Sequence, residues 1–359
     1  MRRKKFDAAS YFYLLAGAVF FTGFVLLGWF GFRYMQGVAL PSFGFQDRIG
    51  KKEKKIECVL RRVVDGACVA SADRINPRLV AVMIENSAEA WPLSGLSHAS
   101  IVYEAPTESN IPRFLAIFPA DEPVDKVGPI RSARPYYLDW LSEYGAGTPY
   151  FHVGGSPEAL DRIVSTVMID INEMTHGWYF WRASDRDMPH NVYTSRRLWQ
   201  KAIDDYPAPL GAKAPSGPVR MFTTTTPCSA DCTTEIRATF SSPLYVALWR
   251  YSTSTDAYDR YQVGEPFRDA DGTQIFADTV IIQRVNATVL DDIGRKHIDT
   301  VGSGSAIVFR SGFAFVGTWK KDAVASPTRF LDESGKEIPL KGGHIWIEVV
   351  PQNGVVSWH

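Results

Sequence analysis

The sequence predicts an α/β domain with a mixed sheet and flanking helices, then a mostly antiparallel β domain, all preceded by one transmembrane helix. Three observations carry this. Residues 8–32 form an uncharged apolar run, long enough to cross a bilayer as a helix. Residues 75–205 alternate short apolar runs with helical patterns, and beyond residue 220 apolar runs separated by turn residues continue without a useful helical period. With 359 residues the chain can bury two separate cores.

The N-terminus comes first. Arg2, Arg3, Lys4 and Lys5 precede the apolar run and favour a cytoplasmic N-terminus with the rest outside. The expected organisation is a cytoplasmic tail over 1–7, an anchor over 8–34, a basic stalk over 35–74, an α/β domain over 75–205, a linker over 206–219 and a β-rich domain over 220–359. A cleaved signal peptide is the rival reading, although its apolar region is normally shorter. The KKEKK run at 51–55 reads as part of a solvated tether. Cys58, Cys68, Cys228 and Cys232 fit two disulfides in an oxidising compartment, with three connectivities open. Their spacing lacks a CxxC pair and no histidine lies near, so no metal site and no cofactor are expected.

In the α/β domain, RLVAVMI (78–84) and HASIVYE (98–104) are buried-strand candidates. The short turn-rich APTESN then leads into IPRFLAIFPA (111–120), which favours an antiparallel hairpin over a parallel return. After a long loop, PYYLDWLSEY (135–144) is an amphipathic helix with Pro135 in its first turn and Gly145 placed to stop it. TPYFHV (148–153) is a strand. Gly154 and Gly155 permit a tight reversal, and Ser156, Pro157 and Glu158 suit the N-cap and first turn of a helix over PEALDRIVS. A further helix is capped by Thr194 or Ser195, and DYPAPLGAKAPSGP (205–218) marks the domain boundary. Beyond it LYVALWRYS, TVIIQRVNATVL, SAIVFR, FAFVGTWKK and HIWIEVV read as strands, with turns at Ser311-Gly312 and Ser334-Gly335.

Several blocks occur together and in order: AVMIEN, LSGLSHASIVYE, VGPIRSARPYY, FHVGGSPEAL, PHNVYTS, GSAIVFRSGFAFVGTWKK and GGHIWIEVVP. Over about residues 75–358 they resemble the YerB-like family, bacterial envelope proteins, often lipoproteins, made of two domains of unknown function. The chain departs from that pattern in lacking a lipobox cysteine. The resemblance implies two domains and an extracytoplasmic location at the cell membrane; it supplies no reaction.

Function must therefore come from local sites. Lysine plus arginine equals aspartate plus glutamate at 39 each, so no global field points to nucleic acid. Glu85, Asn86, Glu104 and His152 end predicted strands, where ligands bind in open α/β sheets. Arg131 and Arg134 flank Ser132 before one helix, and Gly154, Gly155 and Ser156 precede another; together they suit a phosphate or carboxylate. Structural pairing with Glu104, Glu108 or Asp139 is the alternative for the arginines. His190 and Asn191 suit hydrogen bonding to a sugar or acid, and Glu85 with Glu104 is a candidate acid and base pair. Trp178, Tyr179, Phe180 and Trp181 are read as core rather than as sugar-stacking surface. No HExxH, GxSxG, P-loop or GxGxxG pattern is present.

These features point to a membrane-anchored envelope protein that binds an anionic or glycan-containing ligand. The alternatives are a hydrolase or transferase acting on a cell-wall phosphodiester or glycan, and a scaffold for cell-wall enzymes. Expected partners are the membrane, a cell-wall polymer or a cell-wall enzyme.

Overall fold

Leu79–Ile84 (β1) is apolar at all six positions and all six are buried, the pattern of a strand covered on both faces. The computed structural model describes residues 58–166, 168–207, 220–224, 226–240 and 243–359. The predicted tail, the anchor, the first part of the stalk and nearly all of the linker lie outside the described residues. Among the described residues no helix is long and apolar enough to cross a membrane.

Around β1 the large sheet gathers Ile101–Pro106 (β2), Pro112–Pro119 (β3), Tyr150–His152 (β4) and Asp170–Asn172 (β5) from the first half of the chain. The second half adds Thr279–Val285 (β6), Gly302–Arg310 (β7), Phe313–Lys321 (β8), Arg329–Leu331 (β9) and Ile345–Pro351 (β10). Their order is β9-β8-β7-β6-β10-β2-β3-β1-β4-β5. As the short connection requires, β2 and β3 form an antiparallel hairpin, Ile101 opposite Ile117. β1, β4 and β5 run parallel, and β10 lies parallel to both β2 and β6. Glu85, Glu104 and His152 consequently lie toward one edge of the sheet, the carboxyl edge of its parallel strands.

Pro135–Leu141 (α1) and Pro157–Ser165 (α2) cover one face of the sheet, each opening on the proline that the sequence places there. Ser156 Oγ accepts from the Ala159 amide at 3.4 Å, the cap expected of it. Glu173–His176 (α3) and Arg196–Asp205 (α4) follow, the latter capped by Ser195. The opposite face packs on a six-stranded sheet built from Glu235–Thr239, Val246–Ser252, Ala257–Gln262, Glu265–Pro266, Phe276–Ala277 and Val355–Trp358.

The strand-rich second half is thus as its alternation predicts, yet much of it extends the first half's sheet instead of forming a sheet of its own. TVIIQRVNATVL divides at Asn286 into β6 and Ala287–Val289, which pairs with Lys296–Ile298 as a hairpin whose Ile298 packs into the core. The disulfides are local, Cys58–Cys68 and Cys228–Cys232. Residues 58–74, assigned above to the stalk, are instead part of the folded body. Asp65 is buried, its carbonyl accepts from the Gly343 amide, and Arg62 donates to Ser100. The loop closed by Cys58–Cys68 gives this polar stretch enough local order to pack.

Candidate functional site

The RSAR segment is the local device that builds the carboxyl edge. β1 and β4 pair only through Ala81–Tyr150 and Val82–Phe151, and beyond that point residues 129–133 run between them. The Arg131 amide donates to Met83 O, Val153 N donates to Arg131 O, and Ala133 N donates to Gly154 O. Glu85 N donates to Pro129 O, which presents the Glu85 side chain beside Arg131. The Trp181–Arg182 and Val192–Tyr193 ladder lies next to this segment through Ile130 N to Val192 O. Its loop carries His190 onto Glu85.

Three of the expected residues meet there. Glu85 is almost fully buried; Oε1 accepts from Ser87 Oγ at 2.7 Å and lies 3.1 Å from Arg131 Nε, while Oε2 lies 2.9 Å from His190 Nδ1. The Arg131 contact is an ion pair, not an aligned hydrogen bond. Because a carboxylate only accepts, Nδ1 carries the imidazole proton in the neutral ring and Nε2 carries its lone pair. Among the described residues neither His190 Nε2 nor the Arg131 terminal nitrogens have a hydrogen-bond partner. Their side chains are 21% and 25% exposed, open to a ligand yet held from below by one carboxylate.

The remaining candidates are placed differently. Arg134 makes a two-toothed contact with Glu108, Nε to Oε1 and Nη2 to Oε2 both at 2.6 Å, and does not join Arg131 in a shared anion fork. Arg113 lies 3.5 Å from the same carboxylate and donates to Ser132 O. Burial pushes Glu108 upward, but hydrogen bonding and charge from Arg134, with Arg113 adding charge, outweigh it and hold the carboxyl below its usual range. Burial, then repulsion from Arg134, brings Arg113 down to about 10.

His152 is buried, its Nδ1 2.7 Å from Gly154 O and its Nε2 2.6 Å from Asp170 Oδ1. Both nitrogens are occupied, so it fixes the glycine turn and offers nothing to a ligand. Gly154 has φ +58°, a region glycine enters at no steric cost, and its amide donates to Asn172 Oδ1. The Gly154 amide and the Ser156 hydroxyl of the GGS turn are thus taken by protein partners. Gly155 is bridged to Ala133, and Ser156 is spent on its cap. Asn191 is buried, accepting from Arg182 and donating to Ala183 O.

Glu85 and Glu104 are not a pair. Glu104 is buried opposite Glu348 in the β2–β10 register, where Arg260 Nη2 lies 3.2 Å from Glu104 Oε2. Trp346 Nε1 donates to Glu104, Trp249 Nε1 to Glu348, and Asn86 to Glu104. Burial raises both carboxyls, and the neighbouring Glu104 adds to it at Glu348, which stands well above the usual carboxylate range, so this two-carboxyl, one-guanidinium cluster retains a proton. Sequence reasoning missed Glu348 and Arg260. The signal was present, since a carboxyl inside HIWIEVV needs a buried partner. Of the aromatic run, Tyr179 and Phe180 are core as expected, whereas Trp178 is 54% exposed.

Comparison with known proteins agrees with this architecture. Residues 66–208 match the family described as "Protein of unknown function (DUF3048) N-terminal domain", and residues 236–347 match "Protein of unknown function (DUF3048) C-terminal domain". The chain is 32% identical over 285 residues to the protein named "Putative lipoprotein YerB" of Bacillus subtilis (strain 168), covering 78% of this chain and 83% of the relative. It is similar to the crystal structure of the YerB protein from Bacillus subtilis, with a TM-score of 0.72 and 28% identity, over 83% of this chain and 99% of that one.

Proposed function

The chain belongs to the YerB-like family of paired DUF3048 domains, and from that premise we propose a membrane-anchored, extracytoplasmic protein that binds an anionic envelope ligand at Glu85, Arg131 and His190. Two features support the location: the apolar run at residues 8–32, and the word lipoprotein in the name of the Bacillus relative. One observation carries the ligand reading. The Arg131 fork and His190 Nε2 face outward with no protein partner among the described residues, while a buried carboxylate fixes both. A planar guanidinium fork suits the oxygens of a phosphate or carboxylate, and His190 Nε2 becomes a second donor to them only when the ring is protonated.

The test is the thermal stability of the full chain in detergent against inorganic phosphate and phosphorylated glycans. A ligand that binds only the folded state adds about 2.7 kcal/mol at a hundred times its Kd. The wild type should be stabilised, and Arg131→Gln, melting near the wild type without ligand, should not. Failure of every anion to stabilise the wild type would remove the reading.

A scaffold role is favoured by a different observation, the apolar tip of the 287–298 hairpin, where Val289, Leu290 and Ile293 are all exposed. A photo-crosslinker at Ile293 should capture one recurrent envelope protein in cells if that reading holds, and no recurrent partner if it does not.

A further inference from the structure

We infer that the Glu85–His190 pair performs acid–base chemistry at this site, hydrolysing a phosphodiester whose phosphate rests on Arg131; the inference rests on the anion-binding reading above. A buried carboxylate that accepts from Nδ1 fixes the tautomer and the ring orientation, and leaves the lone pair of Nε2 directed away from the protein. Glu85 is thus a positioning residue and His190 the base. Arg131 takes the other oxygen of the same carboxylate, so the guanidinium and the imidazole stand one carboxylate apart. An anion on the Arg131 fork places its central atom within reach of a water held on Nε2.

The chemistry of the ligand narrows the class. A carboxylate bound to Arg131 resists nucleophilic attack and gives a base nothing to do. A phosphodiester offers both the anionic oxygens that the fork holds and an ester bond that can be cleaved. In the step, water loses a proton to Nε2 and its oxygen bonds to phosphorus. The bond from phosphorus to the leaving alkoxide breaks, and the imidazolium returns the proton to that alkoxide. The products are a phosphomonoester and an alcohol, and no redox partner is needed. Ser87 does not compete as a nucleophile, because its hydroxyl donates to Glu85 and lies on the Nδ1 side of the ring, 3.5 Å away.

The experiment uses the full chain in detergent with bis(4-nitrophenyl) phosphate as substrate and inorganic phosphate as the binding probe. The wild type should release 4-nitrophenolate, with a rate that rises as the imidazole loses its proton. His190→Gln should lower the rate by about 10²-fold or more while phosphate still raises the melting temperature. Glu85→Gln should also slow the reaction and alter its pH profile, and Arg131→Gln should lose both binding and turnover. His190→Asn serves as the second variant should His190→Gln melt early. Phosphate binding without hydrolysis, or hydrolysis indifferent to both His190 variants, overturns the acid–base inference and leaves the binding reading standing. Absence of both binding and turnover overturns the two together.

Discussion

Replacing Glu348 by glutamine should make folding stability less dependent on pH. Glu104, Glu348 and Arg260 are buried with side-chain exposures near zero, so two carboxyls face a single guanidinium. Burial and the charge of Glu104 raise Glu348 well above its ordinary 4.5. The folded state therefore keeps a proton that the unfolded chain releases. Between the unfolded and folded pKa values the folded state binds more protons, and stability falls as pH rises by about 1.4 kcal/mol per pH unit. Glu348→Gln removes the titration and retains an amide that can accept from Trp249. The stability difference, variant minus wild type, should grow with pH from about 4.5 upward at that slope. By contrast, Arg260→Met leaves two buried carboxyls without their cation and should destabilise by about 3–5 kcal/mol. Urea unfolding followed by tryptophan fluorescence suits the measurement, because Trp249 and Trp346 donate directly to these carboxyls. Parallel pH profiles for the wild type and Glu348→Gln would refute the reasoning.

Three further predictions follow from the same geometry. Gly154→Ala meets nothing closer than Met174 Cγ at 3.9 Å, so its effect should come from the left-handed backbone alone, a loss of about 1–2 kcal/mol measurable by chemical unfolding. His98 is raised above 6.5 chiefly by its hydrogen bond to Glu122; its stabilisation is present below 6.5 and is lost as pH rises through the folded value. An NMR titration should place its midpoint above 6.5, and Glu122→Gln should lower it. Finally, residues 58–207 made alone should show no cooperative unfolding transition, and adding residues 220–359 should restore one. A cooperative melt of the isolated half would contradict the shared sheet.

Local chemistry was legible in the sequence wherever one residue decided the outcome. Pro135, Pro157 and Ser156 start helices where their backbone and hydroxyl preferences require, and APTESN is too short for anything but a hairpin. Ser311 and Gly312 turn between β7 and β8 with φ 49° and 78°. What could not be read was pairing between distant strands. HIWIEVV looks the same whether it joins its own half or enters between β2 and β6. The site follows the same division. Glu85, Arg131 and His190 were each visible as polar residues in strand ends and loops, but Glu108 could not be singled out from Glu104 and Asp139 as the partner of Arg134 without knowing how the β2–β3 turn lies against α1. His152, at the end of an apolar run, reads equally as an open ligand or a buried brace until Asp170 is placed beside it.

The shared sheet bears on how the site can work. Glu104 with Arg260, Glu143 with Lys321 at 2.8 Å, and Asp139 with Thr300 are buried polar contacts between the two family domains. Opening the body along that boundary would break the β2–β10 ladder and bare the apolar cores that both halves share. Ligand capture by closure of one domain on the other is thereby disfavoured. Glu85, Arg131 and His190 all come from the first domain, and Arg186 pins the His190 loop by donating to Ala90 O and Pro92 O, both at 2.6 Å. The described chain enters at the opposite, amino edge, where Asp65 and Arg62 meet the starts of β10 and β2. The proposed site is therefore assembled in the structure as it stands, on loops whose backbone is fixed by hydrogen bonds. On the proposed reading, selectivity comes from the spacing of Arg131 and His190 across the Glu85 carboxylate, and a variant that shifts Glu85 should change the choice of ligand before it changes the fold.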